Sequence, residues 1–167
     1  KVETEKAIKL FQDAGAIIEE VSIPHVKYSS RIYMAITFGD ASSNMARIDG
    51  IRYGYRAKDY ESLDELYIKS RSESLGEEVK KRILLGTYIL SGNRGEDYYK
   101  QAQRLRSLLI EDYNRVFSNY DLILTPTTPK LPHNLQISSS HYEDYTESVN
   151  LAGLCAISLP TSKGEGL

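Results

Sequence analysis

A single cysteine, Cys155, rules out an internal disulfide and suits a reducing compartment. With no second cysteine and only three histidines, a structural zinc site has no ligand set to draw on. Neither charge dominates. The 21 Lys and Arg against 23 Asp and Glu leave a formal net charge of −2, so no strong field invites nucleic acid or an anionic membrane. The densest basic run is only Lys80-Lys81-Arg82. No apolar stretch approaches the roughly 20 residues of a membrane span, and Lys1-Val2-Glu3-Thr4 does not open a signal peptide. Also missing are a Gly-x-Ser-x-Gly elbow, a glycine-rich phosphate loop, a His-Glu-x-x-His pair and any internal repeat. What is left is 167 residues, 41% apolar and 26% charged, the composition of an ordinary globular domain with room for one core.

The patterning alternates helices with short apolar stretches. Ala7, Leu10, Phe11 and Ala14 share one helical face, with Thr4 as N-cap and Gly15 as stop. Ile17, Val21 and Ile23 keep a strand's period until Pro24 closes it. A long helix is predicted over 26–48, with Met34, Phe38, Ala41 and Met45 on one stripe and small residues Ala41, Ser42 and Ser43 permitting a close neighbour. Asp49 to Ala57 is turn-like, and Ser62 with Glu65 forms a capping box for a helix running to 72. Further helices are predicted over 76–91 and 97–117, the second with Tyr98, Ala102, Leu105, Leu109 and Val116 on its core stripe. A short one is predicted over 148–154. Residues 121–125 and 156–159 have the continuous apolar character of strands covered on both faces. Strands separated by long helices predict an α/β chain, with a mixed sheet flanked by helices. So few strands do not complete a sheet, and Gly164-Glu165-Gly166-Leu167 stops after a turn signal where a strand should begin. We therefore expect residues 1–167 to be one fragment of a single domain.

Few residues carry obvious chemistry. Lys69-Ser70-Arg71-Ser72 sets a lysine beside two serines, but on a polar helix end with no glycine before Gly76 to supply amide donors. A solvated helix surface is the plainer reading, and Ser138-Ser139-Ser140 reads as a flexible loop. Cys155 follows an apolar turn and packs as a small hydrophobe. Arg82 is different. Val79, Ile83, Gly86 and Leu90 define the apolar face of its helix; Arg82 falls on that face, while Lys80 and Lys81 point elsewhere. A guanidinium there needs an anion, either a ligand carboxylate held bidentately or an internal partner among the 23 acids, and spacing alone favours the internal pair. Glu143 and Asp144, in a tyrosine-flanked loop, either meet a substrate ammonium or support the N-terminus of the helix that follows. Tyr33 offers a phenol that composition does not single out among 13 tyrosines.

Ordered motifs carry the reading further. Ala41-Ser42-Ser43-Asn44-Met45-Ala46-Arg47 leads into Asp49-Gly50-Ile51-Arg52-Tyr53-Gly54-Tyr55. Gly76-Glu77-Glu78-Val79-Lys80-Lys81-Arg82-Ile83, Leu122-Ile123-Leu124-Thr125-Pro126-Thr127-Thr128-Pro129 and Asn150-Leu151-Ala152-Gly153-Leu154 follow in order, with Ala14 to His25 before them. Across essentially its whole length the chain resembles the A subunits of glutamyl/aspartyl-tRNA amidotransferases, which are amidase-signature enzymes. The Arg-Tyr-Gly-Tyr run is more particular to these subunits than to the wider family.

The resemblance implies the amidase-signature fold, of which this chain would be a C-terminal-half piece without the N-terminal catalytic core or the C-terminal end. It implies a glutamine amidase whose Ser–cis-Ser–Lys triad lies in a Gly/Ser-rich stretch not found here. The chain would then hold no catalytic residue and no metal ligand, and would be inactive alone. The ammonia would serve conversion of Glu-tRNA(Gln) to Gln-tRNA(Gln), or of Asp-tRNA(Asn) to Asn-tRNA(Asn). Expected partners are a B subunit, which uses ATP and Mg, and a small C-type subunit, in the bacterial cytoplasm or mitochondrial matrix. By motif position, Arg82 holds the glutamine α-carboxylate and Tyr33 lines the pocket. Counting back from Asn150 reaches Glu143, where the family usually shows Asp, and Asp144 is one residue off; one of the two meets the α-ammonium. Cys155 stands where proline is common. Two other readings stay open, an amidase acting on a small amide without partners and a non-catalytic interaction module.

Overall fold

Helices supply the regular structure of the residues described, 2–128 and 145–160 of a computed structural model. In order they are α1 (Val2–Asp13), a 3-10 turn (Pro24–Tyr28), α2 (Ser29–Met45), α3 (Leu63–Ser74), α4 (Glu77–Leu90), α5 (Gly92–Phe117) and α6 (Glu147–Ala152). The chain divides into two compact units, Lys1–Ser30 with Leu105–Leu167, and Arg31–Arg104, and the divisions fall inside α2 and α5.

In the first unit, α1 is already helical at Val2, so Thr4 lies within it and is not its cap. Gly15 ends it as predicted, adopting φ 93° while its N–H donates to the Gln12 carbonyl. Pro24 opens the 3-10 turn that precedes α2, so the long helix predicted from 26 starts as a tighter coil. The core gathers around the later turns of α5, where Leu109, Tyr113 and Val116 are buried together with Leu151 of α6. Polar ties fix the same elements. The Tyr113 hydroxyl and Ser148 Oγ lie 2.7 Å apart, and Arg106 Nε donates to the Leu151 carbonyl at 2.7 Å. Buried Asp112 accepts the His25 backbone N–H at 3.0 Å and Arg115 at 3.0 Å, and its other contact is with the His25 ring at 2.8 Å. Gly153 ends α6 in the left-handed region, and the N–H groups of Gly153 and Leu154 close back on Asn150 and Val149. That closure is the physical reason for glycine in the Asn150–Leu154 run.

The second unit packs α2, α3, α4 and the first part of α5. Buried Ile32 and Phe38 form the inner face of α2, whereas Met34, predicted on its stripe, is exposed. The C-terminus of α2 is capped from a distance, because Arg71 Nη1 donates to the carbonyls of Met45 and Ile48, both at 2.8 Å. Ser62 caps α3 through the Glu65 N–H at 3.2 Å, while the Glu65 carboxylate accepts from Glu61 N–H instead of from the cap's own amide. Gly86 is buried where α4 meets α2: a Cβ there would lie 1.8 Å from the Phe38 carbonyl oxygen. No side chain fits between the two backbones.

The predicted mixed sheet is not formed among the described residues. Segments 17–23, 121–125 and 156–159 carry no ladder, although a strand pattern put them in a sheet. A strand is stable only when a neighbour pairs its N–H and C=O groups, and no described segment does so here. Their apolar side chains are correspondingly open, with Ile17 90%, Leu122 83% and Ile157 81% exposed. The described architecture is helical, and the α/β expectation is corrected to that extent.

Candidate functional site

Arg82 projects from the second turn of α4, a helix that Glu77 and Glu78 open with two acids favourable to its dipole. Its Nε donates to Glu78 Oε1 one turn back at 3.0 Å, and its guanidinium carbon lies 5.5 Å from the centroid of the Phe38 ring. Its terminal nitrogens hydrogen-bond to no other described residue. The side chain is 42% exposed and that of Glu78 63%, so both remain open to solvent. Spacing leaves an internal ion pair and a ligand carboxylate as alternatives; the structure shows the internal pair, engaging one edge of the guanidinium. An exposed i,i+4 pair is worth only about 0.3–0.5 kcal/mol, and a cation–π contact at such a site about 0.5–1 kcal/mol. Neither is strong enough to exclude an incoming carboxylate, which the remaining fork suits.

Tyr33 is half-buried on α2, in the same unit as Arg82, and its hydroxyl bonds to no described residue. No hydrogen bond joins it to Arg82. Glu143 and Asp144, and with them Ser138-Ser139-Ser140, lie outside the described residues.

The Lys69–Ser72 stretch has a structural role that the sequence hid. Ser70 is 1% exposed, not part of a solvated surface, and its Oγ accepts the Ala57 N–H at 3.0 Å. Lys69 donates instead to Asp59 O at 2.9 Å and pairs with Glu65 at 2.7 Å, so lysine and serine are not arranged as base and nucleophile. The loop across Ser70 is held by Asp49, whose Oδ1 accepts the N–H groups of Ile51 and Arg52, both at 2.9 Å, and whose Oδ2 accepts Arg52 Nε at 3.0 Å. The Arg52 and Ile51 amides, foremost, hold the Asp49 carboxyl far below the usual carboxylate range. Gly50, with φ 76°, lies so close to Ser70 that a Cβ would come within 2.6 Å of its Oγ. The Asp-Gly dipeptide was the sequence signal for this loop; nothing local signalled that Ser70 lies under it.

A shallow, open surface depression of about 330 Å³ lies between α2 and α4, lined by Ser42, Ser43, Thr87, Leu90 and Ser91. Three of its hydroxyls are already committed to helix carbonyls: Ser42 to Gly39 at 2.9 Å, Thr87 to Ile83 at 2.8 Å and Ser91 to Tyr88 at 3.1 Å. It offers no charge. Among the described residues, no group of three or more His, Cys, Asp or Glu could hold a metal ion, and no helix is long and apolar enough to cross a membrane.

The amidase family model matches residues 1–167. The A subunit of glutamyl-tRNA(Gln) amidotransferase from Streptococcus mutans is 49% identical over 170 residues, covering 97% of this chain and 34% of the relative. The protein of the same description from Streptococcus pneumoniae (strain Hungary19A-6) is 49% identical over 168 residues, covering 96% and 34%. The chain thus spans about a third of the length of the curated relatives it matches.

Proposed function

This chain belongs to the amidase family, and on that premise we propose that it forms the carboxylate-recognising part of a glutamine amidase, within the A-type component of a tRNA-dependent amidotransferase. The observation that carries the proposal is Arg82. Its Nε donates to Glu78, its guanidinium carbon lies 5.5 Å from the centroid of the Phe38 ring, and its terminal nitrogens hydrogen-bond to no other described residue. Glutamine presents an α-carboxylate of matching geometry. Tyr33 lines the pocket and one of Glu143 and Asp144 receives the α-ammonium, as their motif positions suggest.

The nucleophile belongs to another part of the complete subunit. Buried Ser70 supports this, because its hydroxyl is tied to the loop and faces no base. Hydrolysis there releases ammonia, which a B subunit uses to amidate misacylated tRNA, Glu-tRNA(Gln) or Asp-tRNA(Asn). ATP and Mg act on that B subunit. The complex is completed by a small C-type subunit, in bacterial cytoplasm or mitochondrial matrix. Segments 17–23, 121–125 and 156–159 become strands of a mixed sheet once the complete subunit supplies neighbours to pair them.

The test is Arg82→Ala in the complete amidotransferase. A charge-assisted bidentate pair contributes about 1.5–3 kcal/mol. The glutamine KM is therefore expected to rise about 10- to 150-fold, with kcat less affected. An unchanged KM would contradict the assignment.

A further inference from the structure

We infer that Glu78 is a positioning residue for Arg82, which it holds with the terminal fork presented to a substrate α-carboxylate, so that Glu78 helps select α-carboxylate-bearing amides. The inference rests on the substrate role proposed for Arg82 and deepens it.

A guanidinium is planar, with one edge formed by Nε and one terminal nitrogen, another by the two terminal nitrogens, and two faces. Glu78 Oε1 occupies the Nε position at 3.0 Å. The guanidinium carbon lies 5.5 Å from the centroid of the Phe38 ring, and Phe38 is itself only 8% exposed. Phe38 is fixed relative to α4 because Gly86 lets the α4 backbone rest directly on the Phe38 carbonyl. What is left without a hydrogen-bond partner among the described residues is the fork of terminal nitrogens. The order of the pair also favours it, since an acid one turn N-terminal to a base is the better i,i+4 arrangement. An arginine without Glu78 would keep the ring contact but rotate more freely about its last torsions. A carboxylate would then bind only after that freedom was lost.

Glutamine-dependent ammonia release is measured in the complete amidotransferase with Glu78→Ala, Glu78→Gln, Arg82→Ala and the double variant. The comparison substrate is 4-aminobutanamide, which is glutamine without its carboxylate. The expected result is a glutamine KM raised about 2- to 5-fold in Glu78→Ala, the scale of an exposed ion pair, with kcat unchanged. Glu78→Gln keeps an acceptor for Nε and restores the KM. Glu78→Ala has no effect on kcat/KM for 4-aminobutanamide and adds nothing to Arg82→Ala. A wild-type or lowered KM in Glu78→Ala, beside a raised KM in Arg82→Ala, would overturn the inference while leaving the role of Arg82 standing. An unchanged KM in Arg82→Ala would remove both. A fall in kcat/KM for both substrates, uncorrected by Glu78→Gln, would make Glu78 merely structural and also overturn it.

Discussion

Asp49 and Asp112 are the buried carboxylates of the described residues, and local donors keep each one ionised. For Asp112, burial is the largest influence and pushes the pKa up; the His25 amide and ring, with Arg115, together outweigh it and bring it below the usual range. For Asp49 the amide donors prevail outright. A folded-state pKa below the unfolded value of about 3.9 means stability that is present above that value and lost as pH falls through the folded one. Asp112→Asn should therefore cost most stability above about pH 5, with the gap to wild type closing toward pH 3. Thermal unfolding of the complete protein across that range checks it, and a gap that widens on acidification would contradict it. At this scale the sequence was only partly legible. Arg82 stood out because its neighbours in the helical period are apolar. Ser70 did not, because what buries it is a loop more than a dozen residues away in sequence.

Helices were the most legible elements, since their period is local. The second-unit helices over 63–74 and 77–90 lie within two residues of the predicted limits. Misplaced boundaries have identifiable causes: Pro24 tightened the start of α2 into a 3-10 turn, and α5 begins at Gly92, ahead of the first apolar residue of its stripe. Tyr98, predicted on that stripe, is 52% exposed, while Ala102 one turn farther along is buried. The contact that matters for the proposed site is the α2–α4 crossing at Gly86. Gly86→Ala would drive a methyl group into the Phe38 carbonyl, so the helices must separate. A loss of about 1–3 kcal/mol is expected from overpacking, with a raised glutamine KM as Arg82 loses its seat on Phe38. Unfolding and ammonia-release measurements on the same variant check both, and a stable variant with wild-type KM would show that the close crossing is not required.

For the whole molecule, the sheet was the least legible feature in its outcome. Strand-like segments at 17–23, 121–125 and 156–159 were visible as apolar runs, but pairing depends on partners that a local pattern does not supply. Unpaired and open here, their amides should exchange slowly in the complete subunit if neighbouring strands pair them; hydrogen exchange that remains fast there would rule out the sheet. Under the proposed function this region recognises glutamine while the nucleophile lies elsewhere. The most direct measurement is to react the complete subunit with a serine-directed fluorophosphonate, with and without glutamine, and to map the labelled peptide. The expected result is a glutamine-protected label on a serine outside residues 1–167. A glutamine-protected label on Ser70, Ser72 or any other serine of this sequence would contradict it.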